Sequence, residues 1–136
     1  MAKFNVTGFD EAEKQILRAS EAAATAVPKM LKAGADIIAD AQKRETELLF
    51  GISRRSRGDL KKSIKAARVQ TKTTGSSIYI YPHGTDSSGV RNAVKGFVLN
   101  YGRSNMRPYP WMDNANIRSE TKVHTAMKKI WEEEIN

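Results

Sequence analysis

The first half of the chain has the apolar spacing of a long amphipathic helix. Residues 11–26 are rich in Ala, Glu and Gln, which favour helices, and residues 28–50 continue the same spacing. Pro28 lies between them, and a proline inside a helix removes one backbone hydrogen bond and crowds the preceding turn. We therefore expect the helix to kink or restart at Pro28 and to end at Phe50, before Gly51.

Other regions alternate apolar and polar residues, as strands do. Phe4 and Val6 would lie on one face of a short strand near the start of the sequence. Residues 64–72 and 76–82 form the two arms of a predicted antiparallel hairpin, joined by the three-residue link Thr-Thr-Gly. In the second arm the apolar and aromatic side chains alternate between the two faces: Ile78 and Ile80 on one, Tyr79 and Tyr81 on the other.

The last part of the chain is predicted to contain two further helices. Residues 83–91 form a polar loop, residues 92–101 are a short apolar element with helical spacing, and the final helix starts near Pro110. We expect an α+β fold in a single domain over residues 1–136, with a long N-terminal helical segment and a C-terminal helix packed on a small, mainly antiparallel sheet. The apolar residues of the short element are Val94, Phe97, Val98 and Tyr101.

The positive charge is concentrated in the middle of the chain. The net charge is +8 over 136 residues. Residues 51–107 contain 12 Lys and Arg against 2 Asp and Glu, whereas the segments before and after are each close to neutral. A concentrated positive field attracts a polyanion or an acidic protein surface.

The residues that most chemistry requires are absent or scattered. There is no cysteine, and the two histidines, His83 and His124, are far apart and have no ligand spacing. No nucleophile motif, phosphate loop or paired-carboxylate arrangement stands out. We therefore expect no enzymatic activity, no metal and no cofactor. With no long apolar run and no signal-peptide pattern, we also expect a soluble protein that is not exported and does not enter a membrane.

A basic segment spans residues 53–68. Its Lys and Arg side chains suit phosphate contacts, and its serines could add positioning hydrogen bonds. No aromatic residue lies among them, so base stacking is not expected. The segment could face DNA without sequence preference or dock an acidic neighbouring subunit. Its charged residues are Arg54, Arg55, Arg57, Lys61, Lys62, Lys65 and Arg68.

An aromatic loop, residues 102–111, leads into the last helix. Its two prolines restrict the backbone around Tyr109 and Trp111. Those aromatic residues could simply fill the end of the core, or the loop could form an interface, where Tyr, Trp, Met and Arg are enriched. We expect both roles, with Trp111 as an inward anchor and residues 103–107 facing outward. The interface candidates are Arg103, Met106, Arg107, Tyr109 and Trp111.

Together these segments resemble a known family. The chain has RGDLKKSIK at residues 57–65, FVLNYGRSNMRPYPWMDNA at residues 97–115, and a closing amphipathic helix. This pattern is similar to that of the small head–tail joining or tail-completion proteins of long-tailed bacteriophages and prophages. In that family the aromatic-Gly pair commonly follows Glu and precedes Thr, whereas here those positions are Asn100 and Arg103.

The resemblance implies a structural virion protein of the tail or neck, present in the host cytoplasm before assembly. It implies a homo-oligomeric ring at the head-proximal end of the tail, meeting the connector or head-completion protein and the tail-tube protein. Double-stranded DNA would pass through the ring, which would give a non-specific basic segment a purpose. The alternative is a free, non-specific nucleic-acid-binding domain that uses residues 53–68.

Overall fold

The computed structural model describes residues 9–50 and 58–136. The predicted strand around Phe4 and Val6 lies outside the described residues. The predicted α+β fold is confirmed, since a long first helix and a long last helix flank two short antiparallel ladders. The elements in chain order are α1 (Phe9–Phe50), α2 (Asp59–Ser63), β1 (Ile64–Ala66), β2 (Gln70–Lys72), β3 (Gly75–Ser77), β4 (Ile80–Pro82), α3 (Asn92–Tyr101) and α4 (Trp111–Ile135).

Helix α1 is continuous through Pro28. Its 42 residues correspond to a rod of about 63 Å. We expected a kink or a restart at Pro28, and the restart does not occur, because a proline removes only one bond of the helical ladder and packing stabilises the helix beside it. Ala26 is fully buried, whereas Ala24, whose carbonyl would have accepted the missing bond, is exposed and open to water. The described part of α1 runs to Phe50, and the predicted closing residue Gly51 lies outside the described residues.

Helix α4 packs antiparallel along α1. Lys29 pairs with Glu134 at one end, and Arg118 pairs with Glu45 towards the other. Gln42 Nε2 also donates to Asn116 Oδ1 over 3.2 Å. Small residues on the facing side of α1 let the two helix backbones come close: Ala26, Gly34, Ala35 and Ala39 are all buried.

The first turns of α1 extend beyond α4. Because Glu134 near the end of α4 lies beside Lys29, residues 10–24 have no α4 turn opposite them. Residues 10–18 are exposed, including Ile16 and Leu17. We call residues 10–24 the arm.

The predicted hairpin forms, but as two separate ladders. Strand β1 pairs with β4, and β2 pairs with β3, in antiparallel register. The Ala67 N–H donates to the Tyr79 carbonyl over 2.8 Å between the ladders. The link is two residues long rather than three, because Gly75 pairs with Lys72 within the ladder. Gly75 has a φ of 137°, a positive value that glycine adopts readily.

The core lies where the β1–β4 ladder meets the helices. Ile64 and Trp111 are fully buried and form its centre with Ala39. The predicted alternation in the second arm of the hairpin is confirmed, since Tyr79 and Tyr81 are exposed on the face opposite the isoleucines. The partly buried residues packed on this centre are Phe50, Leu60, Ile80, Leu99 and Met112.

The close crossing at Gly34 gives a stability prediction. A Cβ at this position would lie 2.6 Å from Met127 Cε and 3.2 Å from Val123 Cγ1. We expect Gly34→Leu to lower the free energy of unfolding by about 1–3 kcal/mol, because overpacking displaces α4. Ala24→Leu, at an exposed position of the same helix, is the matched control. Urea denaturation followed by circular dichroism measures both; equal stability of the two variants would contradict this packing.

Candidate interaction surface

The junction between α3 and α4 is fixed by Trp111, the first residue of α4. Its side chain is fully buried, and its indole Nε1–H donates to the Gly96 carbonyl over 3.0 Å. Gly96 has no room for a side chain, since a Cβ would lie 3.0 Å from both Pro82 Cγ and Trp111 Cζ2. Helix α3 is thus held against the start of α4 by close packing and by a buried hydrogen bond.

Asn100 caps the N-terminus of α4 from a neighbouring helix. Pro110, at the N-cap position, makes no side-chain cap bond. Instead, the buried Oδ1 of Asn100 accepts the N–H of Met112 at 3.0 Å and that of Asp113 at 3.4 Å. Its Nδ2 donates to Asp113 Oδ2 over 3.3 Å. Asn100 therefore has a defined role in satisfying the free N–H groups of α4.

The aromatic loop between these helices is a tight, hydrogen-bonded turn. Gly102 has a φ of 75°, and a Cβ there would lie 2.8 Å from both the Met106 carbonyl oxygen and the Pro108 nitrogen. Arg103 and Met106 exchange two backbone hydrogen bonds of 2.9 and 3.0 Å. The N–H of Tyr109 then donates to the Leu99 carbonyl over 2.7 Å. The loop is attached to α3 by its own backbone.

The loop divides its side chains between the core and the surface. Trp111 is the inward anchor, and its fully buried side chain is not accessible to a partner. Tyr109 is half-buried and meets the Phe50 ring edge-on at 6.0 Å, while the Arg107 guanidinium lies 5.2 Å from the centre of the Tyr109 ring. Arg103 and Arg107 are exposed, and neither forms an ion pair within residues 9–50 and 58–136.

Helix α3 exposes its large apolar side chains. Val94 is 51% exposed, Phe97 44% and Tyr101 64%, and the rings of Phe97 and Tyr101 lie nearly parallel with centres 6.3 Å apart. The opposite face of the helix buries Gly96 and Asn100. The predicted helical spacing is therefore confirmed, but the apolar stripe faces away from the core. We call Val94, Phe97 and Tyr101 the α3 patch; contiguous exposed apolar side chains are typical of interaction sites.

The polar loop before α3 is held by Asp86. Its Oδ1 accepts the backbone N–H groups of Ser88 and Val90, both at 2.9 Å, and its Oδ2 accepts Lys95 Nζ at 2.8 Å. The hydrogen bond from Lys95, followed by that from the Val90 N–H, holds the pKa of Asp86 below its ordinary value of 3.8. An ionised Asp86 thus ties the loop to the second turn of α3.

The described part of the basic segment exposes most of its charges. Lys61 pairs with Glu47 at 3.1 Å. Lys62, Lys65 and Arg68 are exposed and form no ion pair with any other residue that the structure describes. Three predicted members of the segment lie outside the described residues: Arg54, Arg55 and Arg57.

The hairpin brings aromatic rings to the basic segment. Lys65 lies opposite Tyr81 in the β1–β4 register, and the Tyr81 ring stacks on His83 with centres 3.9 Å apart. His83 Nε2 is 3.0 Å from the Lys65 carbonyl oxygen. The sequence showed no aromatic residue within 53–68, and only the strand register, which pairs distant residues, could have indicated this cluster. We call Lys65, Tyr81 and His83 the β cluster.

The comparison with family models decides the family. The model described as "Bacteriophage HK97-gp10, putative tail-component" matches residues 10–88. This range is more than half of the chain and runs from the start of α1 past the hairpin. The chain belongs to this HK97-gp10-like family. No curated protein and no solved structure matches the chain significantly.

Family membership makes the chain a bacteriophage tail component, in agreement with the resemblance seen in its motifs. The matched range includes the arm, the basic segment and the hairpin, whereas α3, the aromatic loop and α4 follow it. No described helix of this tail component is long and apolar enough to span a membrane. No group of three or more potential metal ligands occurs among the described residues.

The cap of α4 can be tested directly. We expect Asn100→Ala to lower the free energy of unfolding by about 1–2 kcal/mol, because it leaves N–H groups at the start of α4 without an acceptor. Asn105→Ala, in the exposed turn of the same loop, should stay within about 0.5 kcal/mol of the parent protein. Urea denaturation measures both. A parent-like stability of Asn100→Ala would show that the cap is dispensable.

Proposed function

We propose that this tail component joins or completes the tail at its head-proximal end, as an oligomeric ring around the DNA channel. The family match over residues 10–88 is the observation that carries the proposal. Two exposed apolar surfaces, on the arm and on α3, support self-assembly, because a ring needs two different surfaces that meet between successive copies. The ring would meet the connector or head-completion protein on one side and the tail-tube protein on the other.

The free positive charges would serve the DNA channel. Lys62, Lys65 and Arg68 are exposed and have no acidic partner in the described ranges. Lys and Arg contacts to phosphate do not depend on base sequence, which suits a channel through which a whole genome passes. Arg54, Arg55 and Arg57, which precede the described part of the segment, would share this role, as the sequence predicts. Alternatively, the same charges would contact an acidic face of a neighbouring subunit.

We also propose that the role is structural and not catalytic. A groove with a volume of about 280 Å³ lies between α1 and α4. Glu45, one of its lining residues, is buried and already paired with Arg118, and no histidine lines the groove. These charges therefore act as a bridge between the two helices. A tail protein that acts by assembly would be synthesised in the host cytoplasm and then built into the virion.

A free, non-specific nucleic-acid-binding domain is the second candidate, and the β cluster favours it. Tyr81 and His83 form a stacked pair beside the exposed Lys65. An aromatic face next to a cation can stack on an unpaired base while the cation contacts phosphate. This candidate predicts measurable binding by the isolated chain to single-stranded nucleic acid, whereas the ring proposal needs DNA contact only after assembly.

A charge-removal experiment separates the two candidates. The first triple variant removes the free charges: Lys62→Ala, Lys65→Ala and Arg68→Ala. The control is a second triple variant that removes the same amount of positive charge from α4: Lys122→Ala, Lys128→Ala and Lys129→Ala. Each variant is supplied to a phage that lacks the chain, and the yield of infectious particles is measured. If the ring proposal is correct, only the first variant should lower this yield. Normal particle yield from both variants would contradict the proposed role of these charges.

The same variants test the second candidate in binding assays. If the isolated chain binds single-stranded oligonucleotides, losing three phosphate contacts should reduce the slope of log affinity against log salt by up to about two. Fluorescence anisotropy at several salt concentrations measures this slope. Absence of binding by the parent protein would exclude the free nucleic-acid-binding domain and leave the ring proposal standing.

A further inference from the structure

The arm continues the packing face of α1 beyond its partner helix. At about 100° per residue, Ala12, Ile16, Ala19 and Ala23 fall within about 80° of the fully buried Ala26. The stripe that packs on α4 therefore runs on for about three to four turns with no helix opposite it. Ile16 is 70% exposed. The stripe has the small, close-packing residues of a helix–helix contact but has no partner within the described chain.

The arm cannot reach the other unpartnered surface of its own molecule. Asn116, near the start of α4, contacts Gln42 of α1, and the α3 patch lies at this end of the molecule because α3 packs on the start of α4. Ile16 and Gln42 are separated by about 39 Å along one continuous helix. The two apolar surfaces therefore lie at opposite ends of the subunit, as a head-to-tail contact requires.

The charges around the two surfaces are complementary. The arm has four acidic side chains against two basic ones, Lys14 and Arg18. Residues 91–107, which contain the α3 patch and most of the aromatic loop, have four basic side chains and no acidic one. Pairing two arms or two patches would bring like charges together, whereas an arm on a patch brings opposite charges together. The basic side chains are Arg91, Lys95, Arg103 and Arg107.

We propose that the arm of one copy docks on the α3 patch of the next copy. The inference rests on the proposed ring and names the contact that closes it. Ile16 and the alanine stripe meet Val94, Phe97 and Tyr101, and the acidic residues of the arm meet the arginines of the aromatic loop. The arm is only about 22 Å long, so one such contact buries less than the roughly 800 Å² per partner of a stable pair. Isolated subunits should therefore associate weakly, and ring closure or the tail itself should stabilise the contact.

Paired cysteines test the contact without interference, because the natural chain has none. The variant Ile16→Cys with Phe97→Cys carries one cysteine on each proposed surface. Under mild oxidation on tails that lack the natural chain, we expect a ladder of linked subunits in non-reducing gels. The matched control is Arg18→Cys with Phe97→Cys, in which the first cysteine is two residues away, also exposed, but about 160° around the helix from Ile16. The control should give no ladder.

The outcomes separate this inference from the proposed function. Rings seen on the tails by electron microscopy, without a ladder from the Ile16 pair, would overturn the arm contact and leave the ring proposal intact. Dimers from Ile16→Cys alone would show that two arms pair with each other, which also contradicts the inference. If neither variant associates with tails at all, both the contact and the ring fail. Ile16, Arg18 and Phe97 are all exposed, so loss of folding should not intervene; circular dichroism checks this.

Discussion

The bond from the Trp111 indole to the Gly96 carbonyl determines how the second half of the molecule is arranged. It requires a glycine at position 96, because any side chain there would meet both Pro82 and the indole. It places Asn100, one turn further along α3, where its side chain can cap α4. Once these contacts bury the inner face of α3, the outer face with Phe97 and Tyr101 must face away from the core. The exposed apolar patch is thus a direct consequence of how α3 is anchored.

The sequence predicts the helices and strands, because these depend on the periodic spacing of apolar residues. It does not predict contacts between residues that are far apart in the chain. The spacing of apolar residues was sufficient for α1, α3 and α4, and alternation was sufficient for the hairpin. The helix does not restart at Pro28, because a helix packed against a long partner tolerates the loss of one hydrogen bond. Asn100 could not be recognised as a cap, since its acceptor role depends on a helix that begins eleven residues later.

The candidate interaction surface is likewise predicted from the sequence only in part. The inward role of Trp111 and the outward positions of Arg103 and Arg107 follow from the prolines and charges of the loop, and the structure agrees. Helical spacing at Val94, Phe97 and Tyr101 predicts a helix but does not say which partner covers its apolar side. Here the buried glycine and asparagine lie on one side of α3, and the apolar stripe lies on the exposed side. The cluster at Lys65 and Tyr81 likewise required the strand register.

In the proposed ring, the unpartnered surfaces and the free charges of this tail component would have different tasks. Apolar side chains lie at the two ends of the subunit, where successive copies would meet, and the free cations lie on the hairpin and its preceding helix, where DNA would pass. The most direct measurement of this account is the position of the chain on tails, determined by electron microscopy with a gold-labelled C-terminal tag. The account predicts a single ring of label at the head-proximal end. Label distributed along the tube, or at the opposite end, would contradict it.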